Sequence, residues 1–585
     1  MMTIGTLALL SIGLPWIGAV VVRLIGDRRP AAQHASAVVF ALAGAVAAVA
    51  MIPQKTDANV LDLPLGSAFG HLTFLPDGLA VFLAVVATVI GSLAVIFSVD
   101  YMKGERQLGR YYSYVLFFIG SMVGLVLSSN LLLIFVFWEI TALCSYALIS
   151  FYNDDPKAVA AGIKALIVTQ VGGIGLLAGA LLLYVYQGSY DVPTFLATAS
   201  TLPADVLAVM AFGFLVAAAA KSAQFPFQTW LPDAMEAPTP VSALIHAATM
   251  VNAGVYLLAR FYPAFEAVPH WKLAVVVVGA VTALMAAVMA LVSNDLKRVL
   301  AYSTVSQLGY MVYAVGTGGI FDSQFHLLSH AVFKALLFLS AGAVIHAVHT
   351  RDMREMGGLG KQMPVVKVVM IIGGLALAGI PLFFNGFWSK ELVLEAGREG
   401  GPAWAWAFMV VGAGLTALYT LRFLSMVFYG EPKGHGHVHD AGPAMKIALV
   451  PLALGTLTTY LLAGPFGGFL GRALGEGHEV GTTGQVLLGI LTAPTTFVAL
   501  AVVALGLLAW WRRESLSGLA RALRGIGTMA SNSFGFEAIN RGIVSATVAS
   551  AESLRTTHNG VLNWNVFAIL VGLVAVLAIL ALGGA

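Results

Sequence analysis

"FHLLSHAVFKALLFLSAGAVIH", residues 325–346, is long and apolar enough to cross a bilayer, for which about 20 residues suffice. Yet Lys334 sits near its middle, with His326, His330 and His346 around it. A lysine at the centre of a bilayer costs roughly 2.5–3.5 kcal/mol on insertion scales. His330 lies one helical turn before Lys334 and His326 a further turn away, and residues four apart are neighbours on a helix. The stretch therefore reads as a membrane span that keeps a line of protonatable groups inside the protein.

The rest of the chain agrees. Of its 585 residues, 59% are hydrophobic and 10% charged, with mean hydropathy +0.89. Soluble domains are about 25% charged, so this is an integral membrane protein. The net charge of +3 says little. The single cysteine, Cys144, excludes an internal disulfide and a cysteine-ligated iron–sulfur cluster within the chain. The first residues, "MMTIGTLALLSIGLPWIGAVVV", lack a basic leader and a small-residue cleavage site and read as a retained span.

Apolar runs predict sixteen spans, near 4–24, 35–53, 76–98, 111–128, 130–151, 159–187, 205–229, 240–261, 271–293, 298–316, 325–347, 364–396, 403–429, 446–463, 486–511 and 564–583. Alternate loops divide the basic residues nineteen against five, the five being Lys55, Arg260, Lys272, Arg398 and Arg472. By the positive-inside rule both termini face away from the cytoplasm, in a cell inner (plasma) membrane. Within 512–563, Phe534, Phe536, Ile539, Ile543 and Val548 fall at roughly helical spacing. This predicts an amphipathic helix along the cytoplasmic face before the last span.

The ionisable groups within the spans are few. Glu139 lies mid-span in "LLLIFVFWEITALCSYALI", Lys164 in "AVAAGIKALIVTQ" and Lys221 after a long apolar run in "AAAAKSAQFPFQTWLP". His246 lies in "SALIHAATMVNAGVYLL", Lys390 with Glu391 in "NGFWSKELVL", and Arg422 in "ALYTLRFLSMVF". One such lysine can be a salt-bridge partner or a snorkelling head group. Four in different spans, with a glutamate and a histidine, exceed what packing needs.

Two spans also read as broken, by Pro226 and Pro232 after Lys221 and by Gly379, Pro381, Asn385 and Gly386 before Lys390. Proline removes a backbone hydrogen bond, and non-helical backbone at membrane depth survives only inside protein or beside a wet cavity. The breaks fall in the fourth span of each of two five-span units, spans 4–8 and 9–13, the pattern of inverted repeats around an ion path. Ser303, Thr304, Ser306 and Gln307 in "YSTVSQLGY" are suited to holding water in the second unit. Burial weakens a lysine's hold on its proton and a nearby carboxylate strengthens it, so such a row makes a proton wire.

No other chemistry stands out. "GGIGLLAG", Gly172–Gly179, resembles a nucleotide loop but lies in an apolar span after no strand, and reads as close helix packing. His435, His437 and His439 in "GHGHVHD" belong to a cytoplasmic loop. No cofactor is expected in this chain, and no flavin, nicotinamide or iron–sulfur motif is present.

Three long stretches carry a family resemblance: "KSAQFPFQTWLPDAMEAPTPVSALIHAATMVNAGVYLLARF" (221–261), "DLKRVLAYSTVSQLGYM" (295–311) and "FHLLSHAVFKALLFLSAGAVIHAVHTRDMREMGGLGKQMP" (325–364). They closely resemble the antiporter-like subunits of respiratory complex I and of Mrp-type cation/proton antiporters, nearest to the largest, L/5-type subunit of NADH-quinone oxidoreductase. The resemblance implies fourteen core helices in an all-α polytopic fold with two inverted five-helix repeats, a lateral helix and a terminal anchor. It implies Glu139 with Lys221 as the pair of the first repeat, Lys334 as central relay with His330 and His246 beside it, and Lys390 as exit residue. With Lys164, His326 and Glu391 these form the candidate proton-translocation set. "TQVGGIG", with Gln170 and Gly173, looks more like the Mrp large subunit. The lateral segment also looks shorter than that of complex I, since about 25 helical residues reach only about 38 Å.

The expected organisation is three helices over 1–109, repeats over 110–262 and 263–430, two further helices in 431–511, the lateral segment 512–563 and the anchor 564–585. Expected partners are other antiporter-like and small membrane subunits, peripheral redox subunits that handle electrons, protons and also Na+, and the lipid bilayer, with no nucleic acid. The function expected is proton translocation in a redox-driven complex-I-like machine. The alternatives are a subunit of a cation/proton antiporter or of a membrane-bound hydrogenase, and a scaffold without transport.

Overall fold

The computed structural model describes residues 2–66, 69–433, 438–471, 480–557 and 570–574. The first compact unit, Met1–Gly527, opens with α1 (Ile4–Ile25) and α2 (Pro30–Ala50), a hairpin β1 (Val60–Pro64) and β2 (His71–Phe74), then α3 (Gly78–Tyr101), α4 (Leu108–Leu127), α5 (Leu131–Ile149) and α6 (Pro156–Gln187). Next come α7 (Val192–Thr198), α8 (Ala204–Lys221), α9 (Trp230–Asp233), α10 (Thr239–Ala243), α11 (Asn252–Phe265), α12 (Trp271–Val292), α13 (Leu296–Gly316) and α14 (Ile320–Val348). The unit continues with α15 (Pro364–Ala378), α16 (Asn385–Gly400), α17 (Ala403–Phe428), α18 (Pro443–Thr458), α19 (Ala463–Leu470), α20 (Thr483–Thr492), α21 (Pro494–Trp511) and α22 (Ser517–Ala522). After α23 (Arg524–Ser531), the second unit, Thr528–Ala585, carries α24 (Phe536–Thr557).

Local chemistry sets the helix starts. Asp77, Asn130, Asp155 and Asp295 each accept backbone N–H groups of the helix that follows, satisfying donors with no partner in the first turn. Pro156, at the first position of α6, has no N–H to leave unpaired. Large aromatic side chains, among them Trp138, Trp230, Trp271, Tyr310 and Tyr419, are wholly buried between helices. The outward face is apolar too: α6 exposes Ile163, Ile167, Val171, Ile174 and Val185, the side a bilayer or another membrane subunit covers.

Both expected interruptions exist. α8 ends at Lys221, short of the expected span end at 229, and the chain turns through Ser222–Thr229 before α9. Ser222 holds the turn by donating to Val251 O at 2.6 Å. α15 ends at Gly379 with φ 74°, and the chain resumes helix only at Asn385. At that φ glycine supplies the left-handed turn; a Cβ there would sit at ordinary contact distance, 3.5 Å, from Lys390 Nζ, so the backbone conformation and not space calls for glycine. A third irregularity, not expected from sequence, is a π-helical turn at Leu244–Ala248, closed by Thr249 Oγ1 on Leu244 O and Asn252 Nδ2 on Ala247 O.

The fold is a polytopic all-α bundle, with thirteen helices among the described residues long and apolar enough to cross a membrane. The sixteen-span expectation exceeds this by three runs. α13 is long enough but, with Lys297, Arg298 and several hydroxyl and amide side chains, not apolar enough, and the run 364–396 is two short helices. The run 486–511 keeps a span in α21 although Ala493 and Pro494 divide it, so the third run is that at 564–583. The anchor expected at 564–583 lies outside the described residues except for 570–574, as do His435 and His437. The β1–β2 hairpin, paired from Val60↔Phe74 to Pro64↔His71, is too short to carry an alternating signal. In α24, Ile539, Ile543 and Val548 are exposed, whereas Phe534 lies before the helix at φ 51°.

Two charges assigned to loops are in fact buried: Arg260, 6% exposed, and Lys297, 3% exposed. Arg260 forms a two-pronged pair with Asp77, one prong at 2.8 Å, and donates to Tyr256 Oη at 3.2 Å. Tyr256 in turn donates to Val126 O at 2.9 Å. The cluster ties α11 to the start of α3 and the end of α4. Arg260→Met leaves the buried Asp77 carboxylate with the Ala80 N–H but no cation, a loss of about 3–5 kcal/mol. It is expected to lower the thermal midpoint of the detergent-solubilised protein, with Asp77→Asn partly restoring it in the double variant. An unchanged midpoint in Arg260→Met refutes the clamp.

Candidate functional site

At the first helix break three helices converge. α8 stops at Lys221, whose buried ammonium donates to Trp138 O at 2.7 Å and lies 4.8 Å from the Trp138 ring centroid. Glu139, the next residue on α5, is half-buried, and its Oε1 has no hydrogen-bond partner in the protein. Lys221 thus bonds the residue before Glu139 and not its carboxylate: the two expected partners form no direct ion pair and lie within electrostatic reach of each other. α6 supplies the third wall. Gln170 lies beside the carboxyl, and a Cβ on Gly173 would sit 2.4 Å from Glu139 Oε1. The rest of the glycine run packs α6 on α8: a Cβ on Gly172 would meet Ala220 Cβ at 2.2 Å, and one on Gly175 would meet Gly213 O at 2.2 Å.

Around the second break α13, α14 and α16 present buried polar side chains to one another. Lys334 donates to Ser303 Oγ at 2.6 Å. His326 pairs through Nε2 with Gln307 Oε1 at 3.1 Å and through Nδ1 with Ser389 Oγ at 3.0 Å. Between them on α14, His330 has both ring nitrogens buried and without a protein partner. The same is true of His246, on the π-helical turn, whose ring lies 4.6 Å from that of Phe338. Lys390 donates to Leu377 O at 2.8 Å, a carbonyl of the last turn of α15, and lies 5.9 Å from the Tyr310 ring. Glu391 is 5% exposed, with Oε2 unpartnered.

The sequence-derived set therefore divides. His246, His326, His330, Lys334, Lys390 and Glu391 come together as one buried group, each within electrostatic reach of the next. Glu139 and Lys221 form the second group. Lys164 joins neither: it pairs with Asp233 at 2.8 Å, and Arg298 binds the same carboxylate at 3.2 Å. It ties α6 to α9 and the start of α13. Arg422 is likewise a strut, its guanidinium capping the end of α12 through Ser293 O at 2.6 Å and through Asn294 Oδ1.

Of the polar residues in "YSTVSQLGY", Ser303 and Gln307 hold Lys334 and His326, whereas Thr304 and Ser306 bond main-chain carbonyls. Sequence reasoning missed Ser389 and Lys297. Lys297 is buried and donates to Met235 O at 2.8 Å and Ala237 O at 2.6 Å, within reach of His246. Its signal was the pattern Asp-Leu-Lys, an N-cap followed by a lysine in the first turn, which looks the same in a loop-proximal helix start. Among the described residues no group of three or more histidine, cysteine, aspartate or glutamate side chains is arranged to hold a metal ion.

Two family descriptions match the chain. "NADH:quinone oxidoreductase/Mrp antiporter, TM" covers residues 128–416, and "NADH-Ubiquinone oxidoreductase (complex I), chain 5 N-terminus" covers residues 63–112. NADH-quinone oxidoreductase subunit L of Escherichia coli is 39% identical over 537 residues, 86% of each chain. That of Rhodobacter capsulatus is 44% identical over 410 residues, 65% of this chain and 57% of the relative. Among solved structures, a chain of the Mrp complex from Dietzia sp. DQ12-45-1b superposes with a TM-score of 0.84 at 30% identity, covering 98% of this chain and 63% of that one. This chain thus spans less than two thirds of the Rhodobacter relative and of the Dietzia chain. Broken helices in matched places, buried lysines at both breaks and a relative aligned over most of both chains lead to one assignment: the chain belongs to the antiporter-like L/5-type subunits of the NADH-quinone oxidoreductase family.

Proposed function

We propose that the chain carries protons across the membrane as an antiporter-like subunit of a redox-driven, complex-I-like pump, with electrons handled by partner subunits. The observation that carries this reading is the buried row itself: His246, His330, Lys334, His326, Lys390 and Glu391 in mutual reach, with the ring nitrogens of His246 and His330 unpartnered in the protein. Buried polar atoms are almost always hydrogen-bonded, so these nitrogens suit internal water and proton exchange. A structural role would favour paired groups.

In this reading Glu139 and Lys221 form the switch of the first repeat. Lys334 relays between the repeats through His330 and His246, and Lys390 with Glu391 leads outward. The repeats are 110–262 and 263–430, and the lateral segment 512–563 and anchor 564–585 engage neighbouring membrane subunits. The termini lie on the non-cytoplasmic side of the inner membrane, supported by the basic residues of the alternate loops.

A second reading, a subunit of a Mrp-type cation/proton antiporter, draws on two observations. They are the superposition on the Mrp chain over 98% of this chain and the glycine at position 173 beside Glu139. Whether redox turnover drives pumping in the purified complex separates the two.

Lys221→Ala removes the ammonium that Trp138 O and Glu139 surround. Pumping in proteoliposomes is expected to fall by about a hundredfold or more, the lower end for loss of a positioned acid or base, while the complex stays assembled on native gels. Normal pumping in both Lys221→Ala and Glu139→Ala refutes the switch.

Lys334→Arg separates relay from strut. Arginine keeps the charge and a donor for Ser303 but does not deprotonate in proteins. Pumping is therefore expected to be lost with the complex intact, whereas pumping near the wild-type rate makes Lys334 a structural charge.

A further inference from the structure

The groups at the outer end of the row do not stop at Glu391. α16 carries Glu391, Glu395 and Glu399 four residues apart, each a turn from the next. A cavity of about 390 Å³ lies against the first two, walled by Phe321 of α14, Glu391, Leu392, Glu395, Gln485 of α20 and Thr496 of α21. Its inner carboxylate, Glu391, is buried with Oε2 unpartnered; its outer carboxylate, Glu395, has a side chain 27% exposed. The cavity has room for on the order of ten waters at about 30 Å³ each. It therefore joins a buried acid at the end of the row to an acid that reaches the surface.

We propose that this cavity is the outlet of the proton path and that Glu395 is the last protein group to carry the proton before it leaves. The proposal rests on the proton-translocation reading above and extends it to the release side. The step is a proton transfer: a proton leaves the Glu391 carboxyl, crosses the cavity by water, binds the Glu395 carboxylate and is lost to the outer solution.

The surroundings of Glu395 suit the task. Arg398 donates to its Oε1 at 2.6 Å, and Thr495 Oγ1 donates to its Oε2. Both favour the charged form and so the release of a proton. Arg398 is half exposed and shared with Glu399 at 3.7 Å, so as a strut the pair contributes little. Among the described residues, the charged and titratable groups around Glu395 are Glu391, Arg398 and Glu399 on its own helix, and Asp322 across on α14, near Glu399. From α20 and α21 the described polar groups are Gln485, Thr495 and Thr496, none of them charged.

The test uses the assembled complex in proteoliposomes. Glu395→Gln keeps an acceptor for Thr495 and Arg398 but does not carry a proton. Gly489→Leu fills the cavity from α20, where a side chain at Gly489 meets open space, and touches no charge. Pumping is expected to fall roughly a hundredfold in Glu395→Gln, the lower end for loss of a positioned proton-transfer group, to fall in Gly489→Leu, and to recover in large part in Glu395→Asp. The dependence of the rate on outer pH is expected to be displaced in Glu395→Gln, which loss of a strut does not produce. Wild-type rates and an unchanged outer-pH profile in both Glu395→Gln and Gly489→Leu overturn the outlet. So does loss of pumping in Asp322→Asn with normal pumping in Glu395→Gln, which moves release to α14. Lys334→Arg run alongside keeps the two proposals apart. If it stops pumping while both cavity variants pump normally, only the outlet fails.

Discussion

An ammonium group at membrane depth needs acceptors that water would otherwise provide, and here most of them are main-chain carbonyls. Lys390 is held by Leu377 O, which the end of α15 leaves without an intrahelical donor, and Lys297 by Met235 O and Ala237 O, in the irregular segment that follows α9. Lys221 uses Trp138 O on a neighbouring helix, and Lys334 a serine hydroxyl. The interrupted helices are thus more than local disorder of the bundle, because each break exposes carbonyls that let a cation be buried nearby. Breaks in turn are tolerated only because the surrounding helices exclude lipid from them. Charge and break depend on each other, and both depend on the thick shell of apolar helices outside.

The two kinds of buried cation differ in what else surrounds them. Arg260 and Arg422 each donate to two or more fixed acceptors and tie one helix to the end of another. Lys334 has one hydroxyl and lies among imidazoles that have no protein partner. Arginine, with a rigid fork of donors and a permanent charge, suits the first situation; lysine, with a compact charge it can lose, suits the second. The division of labour between the residue types follows the number of acceptors that the fold supplies at each position.

Much of this was legible in the chain because contrast carries information. Lys334, Lys221 and Glu139 stand out in apolar runs, and Pro226, Pro232, Gly379 and Pro381 mark where those runs cannot stay helical. Lys164 was equally visible and yet misplaced, since sequence does not say that Asp233 folds back to meet it. Lys297 was invisible for the opposite reason. It sits at a helix start like any surface lysine, and its burial is made by residues 235–237 and by the chain at 351–353, which pairs with 294–296. Ser389 belongs to the same class, since its partner His326 is distant in sequence, whereas the π-helical turn at Leu244–Ala248 is closed locally by Thr249 and Asn252, residues that look no different in an ordinary helix.

Gly173 shows what a missing side chain does for the carboxylate beside it. A Cβ at this position would lie 2.4 Å from Glu139 Oε1, a separation that real Cβ contacts do not reach. Because that oxygen is the far end of a flexible side chain, a larger residue on α6 would be accommodated by turning the carboxylate aside rather than by moving the helices. The glycine thus sets where the Glu139 carboxylate rests, and the consequence of filling the space would be a displaced charge and not a disrupted helix pair.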